Sequence, residues 1–376
     1  MHAHRGRAYD RPCFIVDGPD RLLCPIPLKI NTYRGCSGGC AYCSGQAQTK
    51  RWISRSQDFS EVVPCSAKPV RSMFYRAQKS NAAMECGLIR QRSPVQIGHA
   101  SDPLQPAEKR YGITLEVLRI LKMHEYPTIL TTKFPGVLTE PEYLRAIDGL
   151  PLAVQCSISS EDQAMLSIME PRAPTWKRRL AALSTMNDAG VHVILRLWPY
   201  IPDLCGNLEI LIGAAKDAGV KTVQCNFLKL YNAGSDESRF RECLGYDFLK
   251  ASCMAWEQRG NFRISSLEDQ RREISALEDT CAALGLKVIS CDDLTGTRAW
   301  ADCCGVGDLP GFIPSSWAYY TNGHRISEHT DFNDYMRGHN CPWRTEFQKE
   351  WNAGNLAKAV PELIFHDEDK TYSRRW

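Results

Sequence analysis

The chain has 376 residues, 43% of them hydrophobic and 24% charged, with a formal net charge of +3. That length and composition suit a globular protein with one large core plus an appendage, and they exclude an intrinsically disordered chain. The small charge is by itself no argument for nucleic acid, and no run approaches the roughly 18 apolar residues of a membrane span. Seventeen cysteines follow a start with no apolar segment behind basic residues, which points to reduced thiols in the cytoplasm rather than to disulfides.

Residues 1–24 carry His2, His4, Arg5, Arg7, Arg11 and Arg21 without apolar periodicity and read as an arm. Leu28 to Asn31 alternates apolar and polar, a short strand. It feeds Cys36-Ser37-Gly38-Gly39-Cys40-Ala41-Tyr42-Cys43, three cysteines spaced C-x3-C-x2-C. A helical pattern runs from Ser66 to about Cys86, and a strand from Val95 to His99 ends in Ser101-Asp102-Pro103. Helices are then predicted over 107–123, 140–148, 176–189 and 207–218, with Gly190 and Gly219 as stop signals. Strands over 127–132, 152–158, 191–197 and 222–228 alternate with them. This alternation predicts a parallel sheet. No G-x-G-x-x-G follows the first strand, so residues 25–230 fit an α/β fold, a partial (β/α)6 TIM-type barrel. Residues 231–376 read as a C-terminal α-rich, cysteine-containing extension over the barrel mouth, with helices near 246–258 and 266–285 and a strand at 287–290.

The cysteine triple carries the chemistry. At the cysteine frequency of this chain, such spacing arises by chance ~0.03 times. A [4Fe–4S] cube wants one thiolate per iron, so three cysteines leave one iron open to a non-protein ligand. Zinc knuckles usually pair C-x2-C with a second pair or with histidines, and no such partner follows at regular spacing. Gly35, Gly38 and Gly39 suit a loop whose backbone wraps a bulky group. Ligands of α/β barrels bind at the carboxyl ends of the strands, and each strand ends in polar residues. These are Ser101 and Asp102, Thr131 to Lys133, Ser157 and Ser159, Arg196, and Asn226 and Lys229.

The loop resembles the cluster-binding loop of the radical S-adenosylmethionine (SAM) superfamily. Asn31-x-Tyr33-Arg34-Gly35-Cys36, Ser101-Asp102-Pro103-Leu104-Gln105-Pro106-x-Glu108, Thr132-Lys133 and Glu170-Pro171-Arg172-Ala173-Pro174 occur in that order. Together they resemble the spore photoproduct lyase-like branch, often labelled DNA repair photolyases, over roughly residues 28–230. The resemblance implies a [4Fe–4S] cluster on Cys36, Cys40 and Cys43, with SAM chelating the open iron and an external one-electron reductant. It places Tyr42 near the adenine, Ser101 and Asp102 by the methionyl amine, Lys133 by the carboxylate, and Ser157 or Ser159 by the ribose. Arg196, Glu170 and Arg172 would line the substrate side. The implied substrate is a nucleobase, in DNA, that is repaired or remodelled, isomerisation of a hypermodified thymidine included. A peptide- or tRNA-modifying radical SAM enzyme and an iron–sulfur electron-transfer protein are the alternatives.

This chain departs from the branch at Ser44-Gly45, where Tyr-Ala is usual, and at Leu104, where an aromatic is common. A hydrogen-donating cysteine is not identifiable, and Cys86 reads as core. Two basic clusters with aromatics, Trp176 to Arg179 and Tyr372 to Trp376, are candidates for phosphate contacts. Cys291, Cys303, Cys304 and Cys341 fall in an irregular Gly- and Asp-containing region. They are candidates for a second iron–sulfur cluster, with structural zinc and plain thiols as the other readings.

Overall fold

A computed structural model describes residues 14–16, 26, 28–43, 45, 58–79, 84–90, 92–231, 235–259, 262–290 and 304–312. Its strands are β1 (Phe14–Val16), β2 (Leu28–Ile30), β3 (Tyr33–Arg34), β4 (Val63–Pro64), β5 (Val95–Ile97), β6 (Thr128–Thr132) and β7 (Leu152–Ser157). They continue as β8 (His192–Tyr200), β9 (Thr222–Phe227), β10 (Leu230–Tyr231), β11 (Trp256–Arg259), β12 (Phe262–Ser265) and β13 (Lys287–Ser290). One sheet runs β1-β2-β5-β6-β7-β8-β9-β13. From β2 to β13 every pairing is parallel, as in Val95 opposite Thr128 and Ile194 opposite Thr222. This is the expected partial barrel, enlarged to seven parallel strands.

Every residue of β6, β7 and β9 is buried, as strands covered on both faces must be. Their apolar side chains meet helices such as Ile113–Met123 and Trp176–Asp188, whose Leu118, Leu121, Leu180 and Leu183 join the main core. Polar side chains project to the interior and satisfy one another. Lys29 Nζ donates to Gln96 Oε1 at 2.6 Å, Gln96 Nε2 to Thr131 Oγ1 at 3.0 Å, and Thr131 Oγ1 to Gln155 Oε1 at 2.8 Å. Such a chain is tolerable in a dry interior because each group has a partner.

Three expectations need correction. The arm is not structureless, because β1 pairs antiparallel with β2 and forms the sheet edge. The helix expected near 246–258 is only Phe248–Ala251, and the rest is a β11–β12 hairpin. Pairing of β11 with β12, with Glu257 opposite Ile264 and Gln258 opposite Arg263, overrides the helix-forming Glu257 and Gln258. The extension also does more than cover the mouth. β13 joins the barrel sheet, and 304–312 closes the opposite end. There Cys304, Val306 and Phe312 pack on Ile129, Ala153 and Ile194, all near strand beginnings, and Gln155 Nε2 donates to Cys304 O at 2.9 Å.

Candidate cluster and cofactor site

The cysteine loop follows β3 and is clamped by the segment after β5. Gly35 has φ 73°, and a Cβ there would collide with the carbonyl oxygens of Phe59 and Glu61, so only glycine fits. Cys36 N donates to Phe59 O at 2.8 Å. Gln105 holds the loop at two points: its Oε1 accepts from Ser37 N at 2.9 Å, and its Nε2 donates to Gly35 O at 3.2 Å. Ser101 Oγ donates to Tyr33 O at 2.6 Å. The Glu108 carboxylate, fully buried, accepts from the hydroxyls of Tyr33 and Tyr143 and from the N–H groups of Thr114 and Leu115. Those two amides open helix Ile113–Met123, so one carboxylate ties a helix start to the loop. The motif Ser101 to Glu108 is therefore largely scaffold.

A second clamp is the turn after helix Gln163–Met169, an element not anticipated from sequence. Ala41 N donates to Met169 O at 2.9 Å, Arg172 Nη1 donates to Ser37 O at 3.1 Å, and Pro171 faces Gly39. Glu170 departs from expectation. It is buried, and its Oε1 accepts from the Tyr42 hydroxyl and from Ser159 Oγ at 2.8 Å. Its Oε2 sits 2.6 Å from Arg179 Nη1. With both oxygens engaged, it does not line the substrate side. Burial acts to raise its carboxyl, but Arg179 and then Lys133 more than offset this and hold it below the usual carboxylate range. Arg179 likewise is not a phosphate contact. It lies buried behind Trp176 on the inner face of its helix, leaving only Lys177 and Arg178 exposed in that cluster.

A third clamp comes from the extension and was also missed. Arg239, on helix Ser235–Leu244, donates Nε to Ala41 O at 2.9 Å and Nη2 to Cys43 O at 3.4 Å. Asp236 holds it at 3.1 Å. Helix-forming residues gave no hint that this arginine reaches loop carbonyls.

These clamps surround a cavity of about 240 Å³ at the strand carboxyl ends. Cys36, Cys40, Tyr42 and Cys43 form one wall, and Ser101, Asp102, Lys133 and Ser157 adjoin them. Ser157 is the strand serine on the cavity, while Ser159 is turned to Glu170. Lys133 Nζ stands 5.4 Å from the Tyr42 ring centroid and 3.9 Å from Glu170 Oε1. The Asp102 carboxylate accepts from Leu104 N, Thr132 Oγ1 and Lys133 N at 2.9, 2.7 and 2.7 Å, although burial raises its pKa above the usual value. His99, Arg196, Trp198, Lys229 and Tyr231 also line the cavity. Arg196 stacks on Trp198 at 3.7 Å and donates Nε to Gln224 Oε1 at 3.0 Å. Desolvation, then Lys29 and Arg196, lower the pKa of His99 to about 3. Neutral imidazole is the form to expect there at physiological pH.

The donor set fits a cluster held by three thiolates. A Cβ on Gly38 would lie 3.4 Å from Cys36 Sγ and 3.7 Å from Cys40 Sγ, and one on Gly45 would lie 3.4 Å from Cys43 Sγ. The glycines thus leave free the space beside each sulfur. Gly38 N also donates to Cys36 Sγ at 3.4 Å, a contact typical of sulfurs that carry negative charge. Of the C-terminal cysteines, Cys304 is buried in the apolar cluster at the far end of the barrel. Cys291, Cys303 and Cys341, like Tyr372 to Trp376, lie outside the described residues. Among the described residues, no group of three His, Cys, Asp or Glu could hold a single metal ion, and no helix is long and apolar enough to cross a membrane.

No family model matches the chain. An uncharacterised protein of Mycobacterium tuberculosis is 25% identical over 213 residues, covering 54% of this chain and 59% of the relative. One from Methanocaldococcus jannaschii is 25% identical over 189 residues, covering 50% and 65%. The chain thus spans less than two thirds of the length of these relatives. Among solved structures, spore photoproduct lyase with bound AdoMet and dinucleoside spore photoproduct matches with a TM-score of 0.52 and 16% identity. That match covers 76% of this chain and 79% of the lyase. The lyase complexed with dinucleoside spore photoproduct also gives 0.52 and 16%, over 74% and 80%. The chain has the fold of spore photoproduct lyase, the radical SAM branch that its motifs resemble.

Proposed function

We propose that this protein is a radical SAM enzyme acting on a nucleobase, most readily one presented by DNA. One observation carries the reading: a single cavity is lined both by three cysteines and by an arginine–tryptophan stack. When bound, the cluster supplies the electron, received from an external reductant, that splits SAM and yields a 5′-deoxyadenosyl radical able to take hydrogen from substrate. The chain's own residues do the rest. Cys36, Cys40 and Cys43 would hold the cluster, Lys133 would meet the SAM carboxylate, and Ser101, Asp102 and Ser157 would border the remainder of SAM. Arg196 offers a planar donor fork to a phosphate or base edge, and Trp198 and Tyr231 offer ring faces. The lyase of like fold is itself known with a dinucleoside ligand, which supports the substrate class. A base paired in duplex is stacked and hidden from a radical generated at the strand ends, so it must be flipped out or supplied single-stranded. This reading needs one cluster only.

The test is hydrogen transfer. Oligonucleotides deuterated on the base are incubated with reduced, reconstituted protein and SAM, and 5′-deoxyadenosine is analysed by mass. Deuterium in 5′-deoxyadenosine from the oligonucleotide, lost in Arg196→Ala, supports the assignment. Label arriving only from a peptide or tRNA substrate would move the protein to the alternative class.

A further inference from the structure

We propose that Glu170 and Arg179 are positioning residues that set the conformation of the cysteine loop through Tyr42. The two charges form a dry bridge between three elements that carry the chemistry. Arg179 is pinned first: its Nε donates to Pro174 O at 2.8 Å and its Nη1 to Ser157 O at 2.8 Å. The same Nη1 lies 2.6 Å from Glu170 Oε2. Glu170 Oε1 then takes the hydroxyl of Tyr42, in the loop between Cys40 and Cys43, and that of Ser159, just beyond β7. Lys133, just beyond β6, stands 3.9 Å from the same oxygen.

A buried ion pair is seldom the most stable filling for such a space, since apolar side chains of equal volume do as well or better. Its use here is geometric. Carboxylate and guanidinium impose directions on their partners that an apolar contact cannot impose. The phenol is held at one end, so the ring is fixed in the cavity wall and the chain on either side of it, with both neighbouring cysteines, is fixed too. Lys133 is oriented by the same carboxylate. The bridge therefore links the loop that would hold the metal to the side chain that would meet the cofactor. The cofactor part of this inference rests on the function proposed above; the loop part does not.

The primary experiment uses full-length, iron-free protein and follows hydrogen exchange in residues 36–43. Glu170→Gln and Tyr42→Phe are expected to speed exchange there by roughly tenfold or more, the worth of a hydrogen bond to a charged group. In Tyr42→Phe, which leaves the ion pair in place, exchange in β6 and β7 should stay at the wild-type rate, and it is in this variant that a barrel-wide rise counts against the proposal. Should Glu170→Gln fail to fold, Tyr42→Phe decides alone, because it leaves the ion pair in place. Unchanged exchange in the loop, or a rise spread evenly over the barrel in Tyr42→Phe, overturns the proposal. In reconstituted protein, Tyr42→Phe should weaken SAM binding by roughly 10-fold to 100-fold at equal iron content, the usual effect of losing an outer partner of a metal site. Equal SAM affinity would overturn the link to the cofactor. A wild-type protein that binds no SAM, with the loop exchange result intact, would instead refute the proposed function and leave the positioning role standing.

Discussion

At the scale of single residues, the charges at Glu170 and Arg179 matter more than their exposure in the sequence suggests. Arg179→Met strands a carboxylate in a dry site and should cost about 3–5 kcal/mol of unfolding free energy, as single-partner deletions of buried pairs do. The exposed neighbour Arg178 touches nothing of this network, and Arg178→Ala should stay within about 0.5 kcal/mol. Urea unfolding of both variants checks the contrast. The Glu170 carboxyl is held below its ordinary value, so its contribution is complete above the ordinary carboxylate range. It is lost as pH falls through the folded value, because the unfolded chain then binds the proton first. Stability of wild type should thus fall more steeply below about pH 5 than that of Glu170→Gln, by urea titrations at several pH values. Glu170 was legible as a residue of interest, but its role was not. The resemblance that singled it out put it on the substrate side, whereas its burial against Tyr42, Ser159 and Arg179 depends on contacts that spacing does not reveal. Arg179 did leave a readable sign: Trp176, Leu180, Leu183 and Met186 share its helical face, which makes that face the inner one.

At the scale of elements, the βα alternation made most of the barrel readable, because each long helix and strand keeps its own period. The extension resisted for a physical reason. Its β12 pairs with distant β10, Leu230 opposite Arg263 and Tyr231 opposite Phe262, and helix-prone composition hid the β11–β12 hairpin. Helix Ser235–Leu244 is the element whose function was least visible, since a hydrogen bond from Arg239 to Ala41 O spans 198 residues. It predicts that Arg239→Ala leaves the fold intact but loosens the loop, lowering iron retention under chelator by roughly 10-fold to 100-fold. Iron content after a timed chelator challenge measures this. Wild-type retention would mean that the other two clamps suffice. The motif Ser101 to Glu108 teaches the complementary lesson. Its order was recognisable, yet Ser101 and Gln105 act on the loop backbone and Glu108 on the Tyr33 hydroxyl, roles that depend on contacts no spacing reveals.

At the scale of the whole molecule, sequence and structure meet at the cavity. Cys36, Cys40 and Cys43, together with Tyr42, Ser101, Asp102, Lys133, Ser157 and Arg196, were all singled out from their positions in the chain, and all line it. Strand ends converge by topology, so a reader who has the strands has most of the site. Lys229, also read as a strand-end residue, lines the cavity too, whereas Trp198 and Tyr231 were missed because they follow strand ends already occupied by stronger signals. The central claim is that three thiolates leave room for SAM at the fourth iron. Its most direct measurement is conversion of SAM to 5′-deoxyadenosine by reduced, anaerobically reconstituted protein. The account predicts turnover in wild type and none in Cys36→Ala, Cys40→Ala or Cys43→Ala, because each removes a whole iron ligand. Undiminished cleavage in any one of these variants would contradict it.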